Sequence, residues 1–247
     1  MIGIPPDWIT PDWPAPARVR AFVTTRDGGV SSGEYASMNL GTTSGDDPNS
    51  VWKNRLIVRE HLPSPPRWMA QVHGIAVSDL DRLGPDDCPR ADAAVTGAPK
   101  RVAVVLTADC MPLLFCNVRG TRVGAAHAGW RGMAAGVIES TVEALVSRPS
   151  DILAWMGPAI GPTAFEVGPE VRAAFVDVDP RAESAFVPHG GGKYLADLYA
   201  LARQRLERAG VNSISGGGFC TYRETGRLFS YRRVKASGRM GAFIWME

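Results

Sequence analysis

A chain of 247 residues, 45% hydrophobic and 21% charged, has the length and balance of one large globular domain or two small ones; one is the expectation, and disordered and fibrous classes are excluded. A formal charge of +2 creates no global field for nucleic acid or an acidic membrane, so any anion site has to be local. Four cysteines without a CxxC pair, behind an opening MIGIPPDWITPDWPAPA that has no export-signal pattern, read as reduced thiols of a cytoplasmic protein, and no apolar run approaches the roughly 20 residues of a membrane helix.

Residues 1–17, rich in proline and tryptophan, are expected to form an arm that lays Trp8 and Trp13 on a single domain spanning 18–247. RVRAFVTTR has strand composition, and DGGVSSGEYASMNLG after it is a long Gly/Ser loop of the kind that often carries function. SGDDPNSVWKNRLIVREHL predicts a helix capped by Asp or Asn and ended by Pro63. RWMAQVHG is a short strand candidate running into His73, with Gly74 permitting a turn. RVAVVLTADC, a nearly continuous aliphatic run, predicts a strand buried on both faces that ends at Cys110. LLFCN, a turn at RGT and RVGAAHA give two further strands, the second delivering His127. GWRGMAAGVIESTVEALV predicts a helix opening near Arg131 or Gly132, where the helical amides and Arg131 favour an anion. DILAWMGPAIG is a strand entering a Gly/Pro loop, PEVRAAFV and YLADLYALARQRLERAG are amphipathic helices, and RLFSYRR, KASGR and MGAFIWM close the chain as a hairpin. The alternation of strands and helices predicts a mixed α/β fold.

Of four histidines, two stand at Gly-rich junctions after strand-like runs, as does the cysteine of TADC. A catalytic zinc takes three protein ligands from His, Cys or carboxylate and keeps a fourth position open, a demand that His73, Cys110 and His127 meet. Their spacing matches no local metal motif, and the competing reading is two satisfied structural imidazoles and a small buried thiol.

TTRDGGVSSGEYASMNLG, QVHG, ADAAVT, TADCMPLLF, AAHAGWRG, GPAIGPTAFEVG and CTYRETGRLFSYRR, taken together and in order, resemble the laccase-domain family, multicopper polyphenol oxidase-like by name, from Arg18 to the C-terminus. The resemblance implies a single-domain layered α/β sandwich with mixed sheets, similar to the catalytic domain of cytotoxic necrotizing factors. It also implies phosphorolysis of adenosine, inosine, guanosine and methylthioadenosine, with deamination of adenosine. The family's metal ligands fall on His73, Cys110 and His127, to be filled by zinc, with copper as an alternative. Phe165 stands where the family often has tyrosine, and the arm before Arg18 has no clear counterpart in it.

Deamination requires a proton carrier, for which Asp109 beside Cys110 is the candidate, its competing role being a turn cap. Phosphorolysis requires an anion cradle, for which Arg26, Arg131 and Arg233 are nominated; Asn39 and Gln71 are nominated to read sugar hydroxyls or purine edges. The partners expected are thus a purine nucleoside and inorganic phosphate, without nucleic acid or membrane, and a monomer is the default. Three rivals stand beside this reading. A multicopper oxidase would need further imidazoles, and only His61 and His189 remain. A Cys110–His127 dyad would make an amidase or peptidoglycan-precursor editing hydrolase. A metal-stabilised binding module would be expected to close its site with a fourth ligand.

Overall fold

The strand and helix periodicities of the chain sort its apolar side chains onto the faces of four layers. A computed structural model describes residues 3–84 and 86–247. In chain order the elements are β1 (Val19–Val23), α1 (Pro48–Arg59), β2 (Val77–Asp79), β3 (Ala93–Thr96), β4 (Ala103–Thr107), β5 (Met111–Asn117) and β6 (Val123–Ala128). They continue with α2 (Trp130–Ala135), α3 (Val137–Ala144), β7 (Ile152–Met156), β8 (Glu166–Val167), α4 (Pro169–Val176), β9 (Phe186–Pro188), β10 (Tyr194–Ala196), α5 (Leu198–Arg208), β11 (Ser213–Gly216) and β12 (Met240–Met246).

A six-stranded mixed sheet in the order β11-β7-β5-β6-β3-β2 lies against a three-stranded antiparallel sheet in the order β1-β12-β4. Because side chains alternate along a strand, Leu113 and Phe115 of β5 face α3, α4 and α5, whereas Leu114 and Cys116 face the smaller sheet. The smaller sheet turns Phe22, Val104, Phe243 and Trp245 outward onto Val58 of α1 and onto Trp8. Helices, sheet, sheet, and α1 with the N-terminal segment therefore follow one another, a layered α/β domain. A small third sheet, β8-β10-β9, adds Val167, Phe186 and Ala196 to the core under the helices. No helix among the described residues is long and apolar enough to cross a membrane.

The helix of residues 48–59 is capped as expected, Asp47 accepting from the amides of Asn49 and Ser50. The Gly/Ser loop before it is held by Asn54, fully buried, whose Nδ2 donates to Ser31 Oγ and to the Ser37 and Asn39 carbonyls.

Four expectations need correction. RWMAQVHG forms no strand: beyond a single bridge at Arg67, its place beside β4 is taken by the Gln71 side chain, which donates to the Leu106 carbonyl at 2.9 Å and accepts from the Leu106 amide at 2.7 Å. The helix after His127 opens at Trp130 and is two helices, interrupted where Gly136 adopts φ 114°. YLADLYALARQRLERAG begins as β10, and α5 starts only after Asp197, which caps it through the Tyr199 and Ala200 amides. No terminal hairpin forms, because β12 has β1 on one side and β4 on the other and leaves RLFSYRR no edge to pair with.

Trp8 is 5% exposed and stacks on Phe22 with ring centroids 4.9 Å apart. Truncation there empties the outermost layer, so Trp8→Ala is expected to destabilise the domain by about 3 kcal/mol, read as a lower urea midpoint; an unchanged midpoint would show that the N-terminal segment does not contribute to the core.

Candidate functional site

Three chain segments bring His73, Cys110 and His127 to one place. β5 and β6 are antiparallel neighbours in which Pro112 lies opposite His127, so Cys110, just before β5, falls at the end of the sheet where His127 leaves β6. Cys110 reaches that position through a tight reversal out of β4 in which Asp109 takes φ 89°. His73 lies on the turn after the segment pinned to β4 by Gln71, with φ 59°. Its Nε2 is 3.9 Å from Cys110 Sγ, its ring centroid is 4.8 Å from that of His127, and one ligand atom from each of the three residues lies within 4.8 Å of the others.

Asp92 organises two of the three. Its side chain is fully buried; Oδ1 accepts from His127 Nδ1 at 2.8 Å and from the His73 amide at 2.9 Å, while Oδ2 accepts from the amides of Val72 at 3.0 Å and Gly74 at 2.8 Å. Burial opposes ionisation of this carboxyl, but the hydrogen bonds from His127, Gly74 and Val72 outweigh it and hold the pKa below the ordinary value. With Nδ1 committed to Asp92, His127 presents Nε2 to Cys110, the nitrogen through which a metal would be held.

Charge in the centre follows from this arrangement. Burial would raise the Cys110 thiol, yet the charge of His127 and hydrogen bonds from His127 and His73 bring it down to about 6. Burial would likewise lower His127, but Cys110 and Asp92 lift it to about 9. Cys116, buried on β5 without such partners, is pushed up to about 12. A glycine is required beside the ligands: a Cβ at Gly129 would stand 2.7 Å from Cys110 Sγ and 3.3 Å from His73 Cδ2.

Two imidazoles and a thiolate-prone sulfur, their ligand atoms within 4.8 Å of one another, are the donor set of a tetrahedral zinc with one open position, and closing on the ion would draw them together by up to about 1 Å. Copper accepts the same donors. The other two histidines lie elsewhere: His61 bonds the Gly3 carbonyl at 2.8 Å beneath Trp8, and His189 faces Glu166 at 3.7 Å.

The remaining nominated residues divide by what already holds them. Arg26 donates to the Ala36 and Thr225 carbonyls, and Arg233 to those of Thr221, Tyr222 and Leu228. Asn39, fully buried, bonds Ser44, Asp46, Gly41 and Arg239, and Gln71 is spent on Leu106. Asp109 lies next to Cys110, with Oδ1 accepting from Thr221 Oγ1 and Oδ2 from the Arg232 amide, both at 2.6 Å. Arg131 is exposed over the Trp130 ring and makes no hydrogen bond or ion pair among the described residues. Sequence reasoning quoted ADAAVT without singling out Asp92; an acidic residue directly before an apolar strand was the available signal.

Over residues 20–247 the chain matches the family described as multi-copper polyphenol oxidoreductase laccase. It is 52% identical to a protein of Pseudomonas aeruginosa named as a purine nucleoside phosphorylase, over 97% of this chain and 98% of that one. A purine nucleoside phosphorylase of Escherichia coli is 55% identical over 96% and 98% of the two chains. The crystal structure of a Neisseria meningitidis protein superposes with a TM-score of 0.95 at 48% identity, covering 98% and 99%. Coverage this broad takes in most of the segment before Arg18, which therefore has a counterpart in these relatives.

Asp92→Asn should weaken zinc binding by about 10- to 100-fold in competition with a chromophoric chelator, with helical content unchanged. An unaltered affinity would remove Asp92 from the centre.

Proposed function

Because the chain belongs to the multi-copper polyphenol oxidoreductase laccase family, in which relatives of 52% and 55% identity are named purine nucleoside phosphorylases, we propose that it is a metal-dependent purine nucleoside phosphorylase. Adenosine, inosine, guanosine and methylthioadenosine are its substrates with inorganic phosphate, and it also deaminates adenosine. The observation that carries the reading is the convergence of His73, Cys110 and His127 on one point, with Asp92 fixing the two histidines.

His73, Cys110 and His127 hold the metal, with zinc first and copper as the alternative. Bound there, the ion supplies a Lewis acid toward an oxygen of the substrate or of water. The chain's own residues do the rest. Asp92 holds His127 by Nδ1 so that Nε2 is the nitrogen turned to the metal position, and it fixes the His73 turn through three backbone amides. Asp109, oriented by Thr221 and the Arg232 amide, is the carrier of the proton that deamination moves. Arg131, uncommitted at the start of α2, meets the anionic co-substrate, whereas Arg26 and Arg233 hold the walls through their carbonyl contacts. A polyphenol oxidase of the multicopper type finds no support here, since His61 and His189 are spent away from the centre.

One observation favours a second reading. Asp92, His127 and Cys110 also line up as acid, base and nucleophile, with the thiol brought down to about 6, as a Cys-His amidase acting on a cell-wall precursor would require. His73 separates the two, because a dyad has no use for it.

Metal-quantified protein incubated with adenosine should yield adenine and ribose phosphate only when phosphate is present, and inosine without it. His73→Ala and Cys110→Ala should each cost more than about a hundredfold in rate, beyond what loss of an outer-shell partner costs. Activity that survives exhaustive chelation and His73→Ala would transfer the assignment to the Cys-His reading.

A further inference from the structure

The anion that phosphorolysis consumes needs a cation facing the metal ligands, and most arginines near them are occupied. Arg26 spends Nε and Nη1, and Arg233 both Nη1 and Nη2, on backbone carbonyls, which leaves neither with its Nε–Nη2 edge free, and Arg232 donates Nη1 to the Glu166 carbonyl. Arg239, which sequence reasoning passed over inside KASGR, is placed differently. β12 pairs with β4 in a register that sets Met240 opposite Thr107. Arg239, one residue before β12, therefore stands at the strand exit from which the chain runs through Ala108 and Asp109 to Cys110.

Its backbone is locked there. The Arg239 amide donates to Asn39 Oδ1 at 2.8 Å, its carbonyl accepts from the Leu40 amide at 3.1 Å, and its stem lies so close to Gly41 that a Cβ on that glycine would come within 2.6 Å of Arg239 Cγ. Nη1 turns back onto the Ser237 and Gly238 carbonyls. Nε and Nη2 donate to nothing among the described residues, and they form one edge of the guanidinium, the edge that binds an oxyanion with two parallel hydrogen bonds. Partial burial lowers the pKa of the group without discharging it, and among the charges acting on it that of Cys110 is the largest, ahead of Tyr231, Asp109 and Tyr35. The Tyr231 ring centroid is 5.5 Å from the Arg239 guanidinium carbon and 4.5 Å from Lys235 Nζ, so two cations share one ring.

We propose that Arg239 is the anchoring residue for the phosphate co-substrate, binding two of its oxygens through Nε and Nη2 beside the His73–Cys110–His127 centre. The inference rests on the phosphorolytic reading above. Arg131, exposed over Trp130, then serves approach, and the partly desolvated Arg239 fixes the anion where the nucleoside's glycosidic carbon must be attacked.

Initial rates with inosine, measured over a series of phosphate concentrations, test it in Arg239→Gln, Arg239→Lys and Gly41→Ala. The KM for phosphate is expected to rise at least about tenfold in Arg239→Gln, the cost of one charge-assisted hydrogen bond. The KM for inosine and the bound zinc should stay within about twofold of wild type, the spread of context-dependent contacts. Arg239→Lys should recover part of the loss, and Gly41→Ala, which displaces the stem and keeps the charge, should raise the phosphate KM as well. A phosphate KM unchanged in all three, or a loss that falls on inosine instead, overturns the assignment of Arg239 while leaving phosphorolysis intact. Wild-type protein that forms no ribose phosphate at any phosphate concentration would overturn the proposed function and this inference together.

Discussion

The centre depends on one buried carboxylate. Asp92 has no exposed surface, and its two oxygens accept four hydrogen bonds, three from successive amides of the His73 turn and one from His127. An ionised group is tolerated in such a place only when its lone pairs are satisfied. The same bonds that meet this demand aim the side chains. Asp92 precedes β3, β3 pairs with β6, and the His127 amide donates to the Asp92 carbonyl at 2.7 Å, so backbone and side chain together tie the imidazole to the turn that carries its fellow ligand.

The sheets explain why the ligands come to one edge. β5 is buried along its whole length because its alternate residues serve two different cores, one under the helices and one under the smaller sheet. A strand so constrained cannot slip by a residue without exchanging its two faces, and the position of Cys110 before it is fixed accordingly. At the opposite wall Gly129 lets α2 start immediately after β6 without a side chain intruding on the sulfur, and Gly132 does the same for the turn, since a Cβ there would stand 2.9 Å from the Gly74 carbonyl. The geometry is set by packing and by missing side chains as much as by the ligands.

How much of this was legible varied with the range of the interaction. The buried strands at 103–107, 123–128 and 152–156 announce themselves by aliphatic runs, and the cap at Asp47 by its position before Pro48. Gln71 standing in for a strand partner, and β12 finding both neighbours far away in sequence, are tertiary outcomes that local composition does not encode. The three candidate ligands were marked by residue type and by Gly-rich junctions, with Cys110 and His127 at strand ends and His73 on a turn where the expected strand does not form. The arginines were not, because a guanidinium in a motif looks the same whether it caps backbone carbonyls, as Arg26 and Arg233 do, or keeps a free edge, as Arg239 does.

The conformation of His73 bears on which chemistry the centre was built for. A non-glycine residue at φ 59° sits in a sparsely populated region that costs on the order of 1 kcal/mol or more, and such strain persists only where the surroundings impose it. Here Asp92 imposes it, through the amides before, at and after that histidine. A thiol–imidazole pair requires neither the strained turn nor the third side chain: Cys110, His127 and Asp92 would be complete without them. What the strained turn does accomplish is to put Nε2 of His73 3.9 Å from the sulfur, with the ligand atoms of all three residues within 4.8 Å of one another. The strained turn adds a third donor to the thiol–imidazole pair, an addition that a metal-holding centre uses and a dyad does not.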